Sequence, residues 1–179
     1  KGTGSYASYS PVTKDIKIEL SNNDKSTLPS IKNWATFKYN AITKTVTATV
    51  KEEKKNIKFS NSDYKDRALQ MFLDMADILN EYAGTETEGG ASNLSIALLD
   101  SPDPKFYDNA DDQTQISLDN LNFYNNANDH DQRTNLKRDL KEKWGLDLDN
   151  GTLASLNGKR LICKYKNNPT TYYVKIIAQ

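Results

Sequence analysis

The stretch "YKDRALQMFLDMADILNEYAG", Tyr64 to Gly84, constrains the fold more than any other part of the chain. Asn61 and Ser62 precede it as cap candidates, Gly84 follows as a stop, and no proline or glycine interrupts it. This pattern predicts a helix of about five turns over residues 62–83. Its polar positions Asp66, Gln70, Asp74, Asp77 and Glu81 step by three or four residues and so form one narrow stripe. Leu69, Met71, Phe72, Leu73, Met75, Ile78, Leu79 and Tyr82 cover most of the remaining circumference. A helix apolar on so many sides must be covered broadly, and a β-sheet laid under it is the expected cover.

The strands for such a sheet are legible on both sides of the helix. "DIKIEL" alternates Ile16, Ile18 and Leu20 with polar residues, the period of a half-buried strand. Trp34–Tyr39 and Lys44–Val50, joined by a short polar link starting at Asn40, read as a β-hairpin. In its second strand Thr45, Thr47 and Thr49 should face solvent while Val46, Ala48 and Val50 point inward. After the helix, "GTETEGGAS" is a loop by composition and "NLSIALLD" a buried strand. Pro102 and Pro104 exclude regular structure near them, although "QTQISLDNL" could add a short strand.

"DQRTNLKRDLKEKWG" predicts a second, shorter helix at about 130–144, with Leu136, Leu140 and Trp144 on one face and Gly145 ending it. The C-terminal "GKRLICKYKNNPTTYYVKIIAQ" reads as a second hairpin around "NNP". Leu161, Cys163 and Tyr165 share one face of its first strand, and Tyr172, Val174 and Ile176 point opposite to Tyr173 and Ile177 in its second. The expected class is therefore α+β: an antiparallel sheet built from hairpins, a long, largely buried helix packed on it, and a shorter second helix. Residues 1–11, "KGTGSYASYSP", read as a flexible tether or trimmed end, and residues 12–179 as a single domain with a subdivision conceivable near 101–128.

Charge and composition narrow the partners. Twenty-four lysines and arginines balance 24 aspartates and glutamates, a net charge of +0, so no field exists to gather nucleic acid. No run of about 18 apolar residues is present to span a bilayer. The single cysteine, Cys163, excludes an internal disulfide and a multi-thiolate zinc site, and on its strand it reads as a small buried hydrophobe. A nearly cysteine-free composition rich in Asn, Lys, Thr, Asp and Tyr, with a tether-like start, points to a bacterial exported, surface-tethered or lipoprotein domain; a cytoplasmic accessory subunit is the alternative location.

The search for catalytic chemistry returns little. "NNANDHDQRTN", residues 125–135, surrounds the only histidine with oxygens, but its spacing fails the calcium helix-loop-helix pattern. A loop opened at Asn126 puts His130 at position 5 and Asp131 at position 6, where glycine belongs. Registers opened at Asp108 and Asp147 fail on Ala110 and on Gly151, which arrives one place early. The structural alternative uses every residue: Asp129 and Gln132 as a capping box, with His130 exposed beside them. An irregular calcium site built from Asp108, Asp111 and Asp112 is a weaker candidate. With one histidine, a triad would have to use His130, and no phosphate loop or nucleophile elbow occurs; no cofactor is expected.

Two functional classes result. The first is a non-catalytic domain binding a protein or a cell-surface polymer, suggested by ten tyrosines in a polar chain; Tyr107, Tyr124, Tyr172 and Tyr173 are its surface candidates. The second is a small carboxylate-dependent hydrolase using Asp74, Asp77 or Glu81, a stripe that otherwise reads as the solvated face of the helix.

Overall fold

The computed structural model describes residues 31–60, 67–83, 93–100 and 120–179. Five strands and two helices alternate along them: β1 (Ala35–Asn40), β2 (Thr45–Val50), α1 (Ala68–Ala83), β3 (Leu94–Leu98), α2 (His130–Trp144), β4 (Arg160–Tyr165) and β5 (Thr171–Ile177). The class is α+β, as the hairpin and helix patterns predict. The proposed "DIKIEL" strand, the 1–11 tether and most of "QTQISLDNL" lie outside the described residues.

Both predicted hairpins form. The β1–β2 turn closes because the Asn40 side chain accepts the amides of Ile42 and Thr43, at 2.9 and 3.1 Å, and Lys44 takes a left-handed φ of 55°. The sheet order is β1-β2-β5-β4-β3, with β2 and β5 parallel and every other pair antiparallel. The sheet is thus mixed and largely antiparallel, and the C-terminal hairpin joins the same sheet as the first, with β5 at its centre.

α1 covers one face. Ala68, Leu69, Phe72, Met75, Ala76, Ile78 and Leu79 are all buried, joined by Tyr82, whose hydroxyl donates to the Phe37 carbonyl at 3.2 Å and whose ring stacks on Tyr39. Leu136, Leu140 and Trp144 dock α2 beside it, with Trp144 edge-on to Phe72 and its Nε1 donating to the Leu99 carbonyl at 2.7 Å. α2 ends as its sequence predicts. Gly145 has φ 64°, and its amide and that of Leu146 close on the carbonyls of Lys141 and Leu140, a Schellman arrangement.

The start of α2 is half of the expected box. Asp129 accepts from the amides of Asp131 and Gln132, at 2.9 and 3.4 Å. Gln132 does not return to the cap amide; its Oε1 takes the amides of Asn125 and Asn126, at 2.8 and 3.0 Å, because the cap amide is already bonded to the Asn126 carbonyl. Gln132 therefore ties down the incoming loop rather than the cap.

The second face of the sheet is not simply wet. Ala97, Leu99, Ile162 and Tyr173 form a smaller buried cluster there, with Leu121 and Phe123 packed on it. Of the β2 threonines only Thr49 is exposed; Thr47 is half-buried and Thr45 buried. Central β-strands are covered on both sides, which is why "RLICKY" is buried at five of its six positions.

Candidate functional site

Three of the four tyrosines expected to form a binding surface are buried. Tyr124, Tyr172 and Tyr173 are 2%, 1% and 0% exposed, so none of them offers contact area, and Tyr107 lies outside the described residues. Their selection rested on the number of tyrosines in a polar chain, whereas β5 buries both Tyr172 and Tyr173, on opposite faces. Tyr172 sits edge-on to Tyr165 with the Lys44 ammonium 5.7 Å above its ring. Burial raises the Tyr173 hydroxyl, against a contact with the Thr171 hydroxyl at 3.2 Å that lowers it. Tyr124 donates to the buried Asp139 carboxylate at 2.9 Å; burial first, and then that acceptor and its charge, hold the phenol strongly protonated.

The carboxylate stripe of α1 lies along one side of the helix. Asp74 is half-buried and accepts from Gln70 at 2.8 Å, Asp77 is exposed, and Glu81 is exposed and 3.6 Å from Lys32. Burial raises the Asp74 carboxyl, the Gln70 hydrogen bond opposes this, and the Asp77 charge adds to it. Glycoside hydrolysis needs two carboxylates flanking a bond, and these three project from one helix and line neither of the hollows described below. His130 is 81% exposed at its side chain, beside Asp131. Cys163 is fully buried with its thiol raised by burial, as a packed hydrophobe should be. Among the described residues no cluster of three or more His, Cys, Asp or Glu is placed to hold a metal ion; Asp108, Asp111 and Asp112 are outside them.

A groove of about 850 Å³ lies elsewhere, at the end of the sheet where β3, the β4–β5 turn and the segment 123–125 meet. Its construction follows from pairing. β3 and β4 place Ser95 opposite Lys164 on the face away from the helices, and the Asn93 carbonyl accepts the Lys166 amide at 2.9 Å. Tyr124 extends the sheet past β3 by a single antiparallel bridge to Ile96, with bonds of 2.7 and 2.9 Å. With Tyr124 anchored to Asp139 on the helix side, its neighbours Phe123 and Asn125 both line the groove. The far wall is the β4–β5 turn, where Asn167 has φ 64° and Asn168 accepts the Thr170 amide at 2.9 Å, followed by Pro169.

The lining mixes polar and apolar groups. Four asparagines, two lysines and Ser95 stand beside Leu94, Tyr165, Pro169 and the half-buried Phe123, and among the described residues no carboxylate, imidazole or thiol lines the groove. Amide side chains donate and accept together, so this surface can hydrogen-bond hydroxyls or peptide groups while Phe123 supplies apolar contact. None of these residues stood out in the sequence: asparagine, lysine and phenylalanine carry no motif, and residues 93, 125 and 164 meet only through strand pairing.

Comparison with family models, with curated proteins and with solved structures finds no match to this chain. No helix among the described residues is long and apolar enough to cross a membrane.

Proposed function

We propose that this is a non-catalytic binding domain, exported or surface-tethered in a bacterium, that takes a segment of a protein or of a cell-surface polymer into the groove between β3, residues 123–125 and the β4–β5 turn. The observation that carries the reading is the lining itself. It combines amide and ammonium groups with the Phe123 and Tyr165 side chains, and among the described residues it includes none of the carboxylate, imidazole or thiol groups that acid–base or thiol catalysis would use. The open, extended form suits a chain-like ligand rather than an enclosed small molecule. Export draws its support from composition alone: a single, buried cysteine leaves nothing for an oxidising compartment to cross-link.

The test is co-sedimentation with insoluble polysaccharides and peptidoglycan, together with a peptide array, comparing the native chain with Phe123→Ala/Lys164→Ala. Binding to a member of either set that falls about tenfold or more in the double variant, a loss of about 1.4 kcal/mol, is the expected result. Equal binding by the folded double variant would place the ligand elsewhere. Separation of cell fractions with an antibody against the chain tests the compartment.

A further inference from the structure

A second hollow, of about 310 Å³, opens between the start of α1 and the loop entering α2. Arg67 and Gln70 line it from α1, and Ala127, Asn128 and Arg133 from the other side. Two arginines thus border one small space, and among the described residues no carboxylate lines it. Among the described residues neither arginine makes an ion pair: the salt bridges there belong to lysines and to His130.

The walls are held in place. Arg133 is half-buried, and its Nη1 donates to the Ala127 carbonyl at 3.1 Å, which fixes the guanidinium plane and leaves its other N–H groups to donate. Gln70 is tied to Asp74 through one amide proton at 2.8 Å. The same loop is pinned from behind, since Gln132 binds the amides of Asn125 and Asn126, and Asn126 accepts the Asn128 amide at 2.9 Å. Two like charges beside one hollow repel each other, and an anion bound between them attracts both. Guanidinium forks match the oxygens of phosphate and carboxylate in bidentate fashion, and two forks with the side-chain amide of Asn128 offer donors to all the oxygens of a tetrahedral dianion.

We infer that the hollow between Arg67 and Arg133 binds a phosphate dianion, as inorganic phosphate or as the phosphoryl group of a monoester. The site is independent of the sheet-end groove, and its occupancy ties the start of α1 to the loop before α2.

The experiment is isothermal titration and amide NMR of the whole chain with inorganic phosphate, phenyl phosphate and acetate, at fixed ionic strength held with chloride. The expected result is saturable phosphate binding, stronger at pH 7.5 than at pH 5.5 as the dianion forms, with a pKa near 6 for the monoester and higher for the inorganic ion. It should weaken about tenfold or more in Arg67→Gln and in Arg133→Lys, where an ammonium cannot bind bidentately. Tighter binding of phenyl phosphate identifies a monoester as the preferred source, and tighter inorganic phosphate identifies the free ion. Arg67→Gln removes an exposed side chain, so a normal thermal transition in that variant keeps the test valid should Arg133→Lys fail to fold. Non-saturating binding, equal affinity for acetate, or undiminished affinity in folded Arg67→Gln overturns the proposal.

Discussion

Tyr124→Phe should be costly out of proportion to the single oxygen removed. The hydroxyl is buried and donates at 2.9 Å to Asp139, itself only 4% exposed; the carboxylate's other side-chain partner is Asn122 at 3.5 Å, the limit of a hydrogen bond. A hydrogen bond to a charged group is worth about 1.5–3 kcal/mol, and its removal leaves a buried carboxylate nearly unserved. A loss of about 2 kcal/mol is expected, which for a domain of this size lowers Tm by about 4–8 °C. Urea denaturation at pH 7 measures it directly. A double-mutant cycle with Asp139→Ala separates the pair from each residue's packing, and its coupling should exceed about 1 kcal/mol.

The consequence reaches the groove. Tyr124 is bonded to Ile96 through its backbone and to α2 through its hydroxyl, and its two chain neighbours line the groove. Releasing the hydroxyl should therefore shift the amide resonances of Ser95 and Lys164, which touch neither Tyr124 nor Asp139 through their side chains. A Tyr124→Phe change of under about 0.5 kcal/mol, with no coupling in the cycle, would refute the claim that this pair sets the segment.

Three further outcomes follow from the same contacts. Asp129→Ala removes the acceptor for two first-turn amides and should cost about 1 kcal/mol in urea denaturation, leaving the groove resonances in place because Gln132 still holds Asn125 and Asn126. Cys163 should resist iodoacetamide at pH 8 in the folded protein and react at once in denaturant, since burial raises its thiol and closes access; labelling of the native chain would contradict the packing. Asp74 has a folded pKa raised above its unfolded value of 3.8, so its ionised form opposes folding, and the penalty appears as pH climbs through that window and disappears as pH falls below it. Asp74→Asn should then be neutral or stabilising at pH 7, with the difference vanishing towards pH 3.5 in thermal melts; a loss of stability at pH 7 would show that the carboxylate charge is favourable where it stands.

What could be read from the chain was whatever depended on neighbours in sequence. The hairpins declared themselves through alternation and turn residues, α1 through its apolar circumference, and α2 through Asp129, the Leu136–Leu140–Trp144 spacing and Gly145, all interactions within a few residues. The parallel junction of β2 with β5 pairs Thr45 with Tyr173, far apart in the chain, and no local pattern encodes it. That one pairing decides the fate of Tyr172 and Tyr173. Once β5 is central, both of its faces are interior, and two residues picked as surface candidates from tyrosine content become core.

The same reasoning explains where binding chemistry can sit. α1 and the central strands spend most of their side chains on the interior, and the two hollows lie where the sheet ends and the helices begin. Phe123, Asn125, Lys164 and Asn168 are brought together by two strand pairings, and Arg67 and Arg133 by the docking of α2 against α1. Segments such as "NFYNN" and "KNNPT" look featureless because their use depends on partners distant in sequence. The oxygen-rich stretch around His130 shows the converse in part: Asp129 and the Asn125 and Asn126 amides are used locally, by the cap and by Gln132, while Ala127, Asn128 and Arg133 line a hollow.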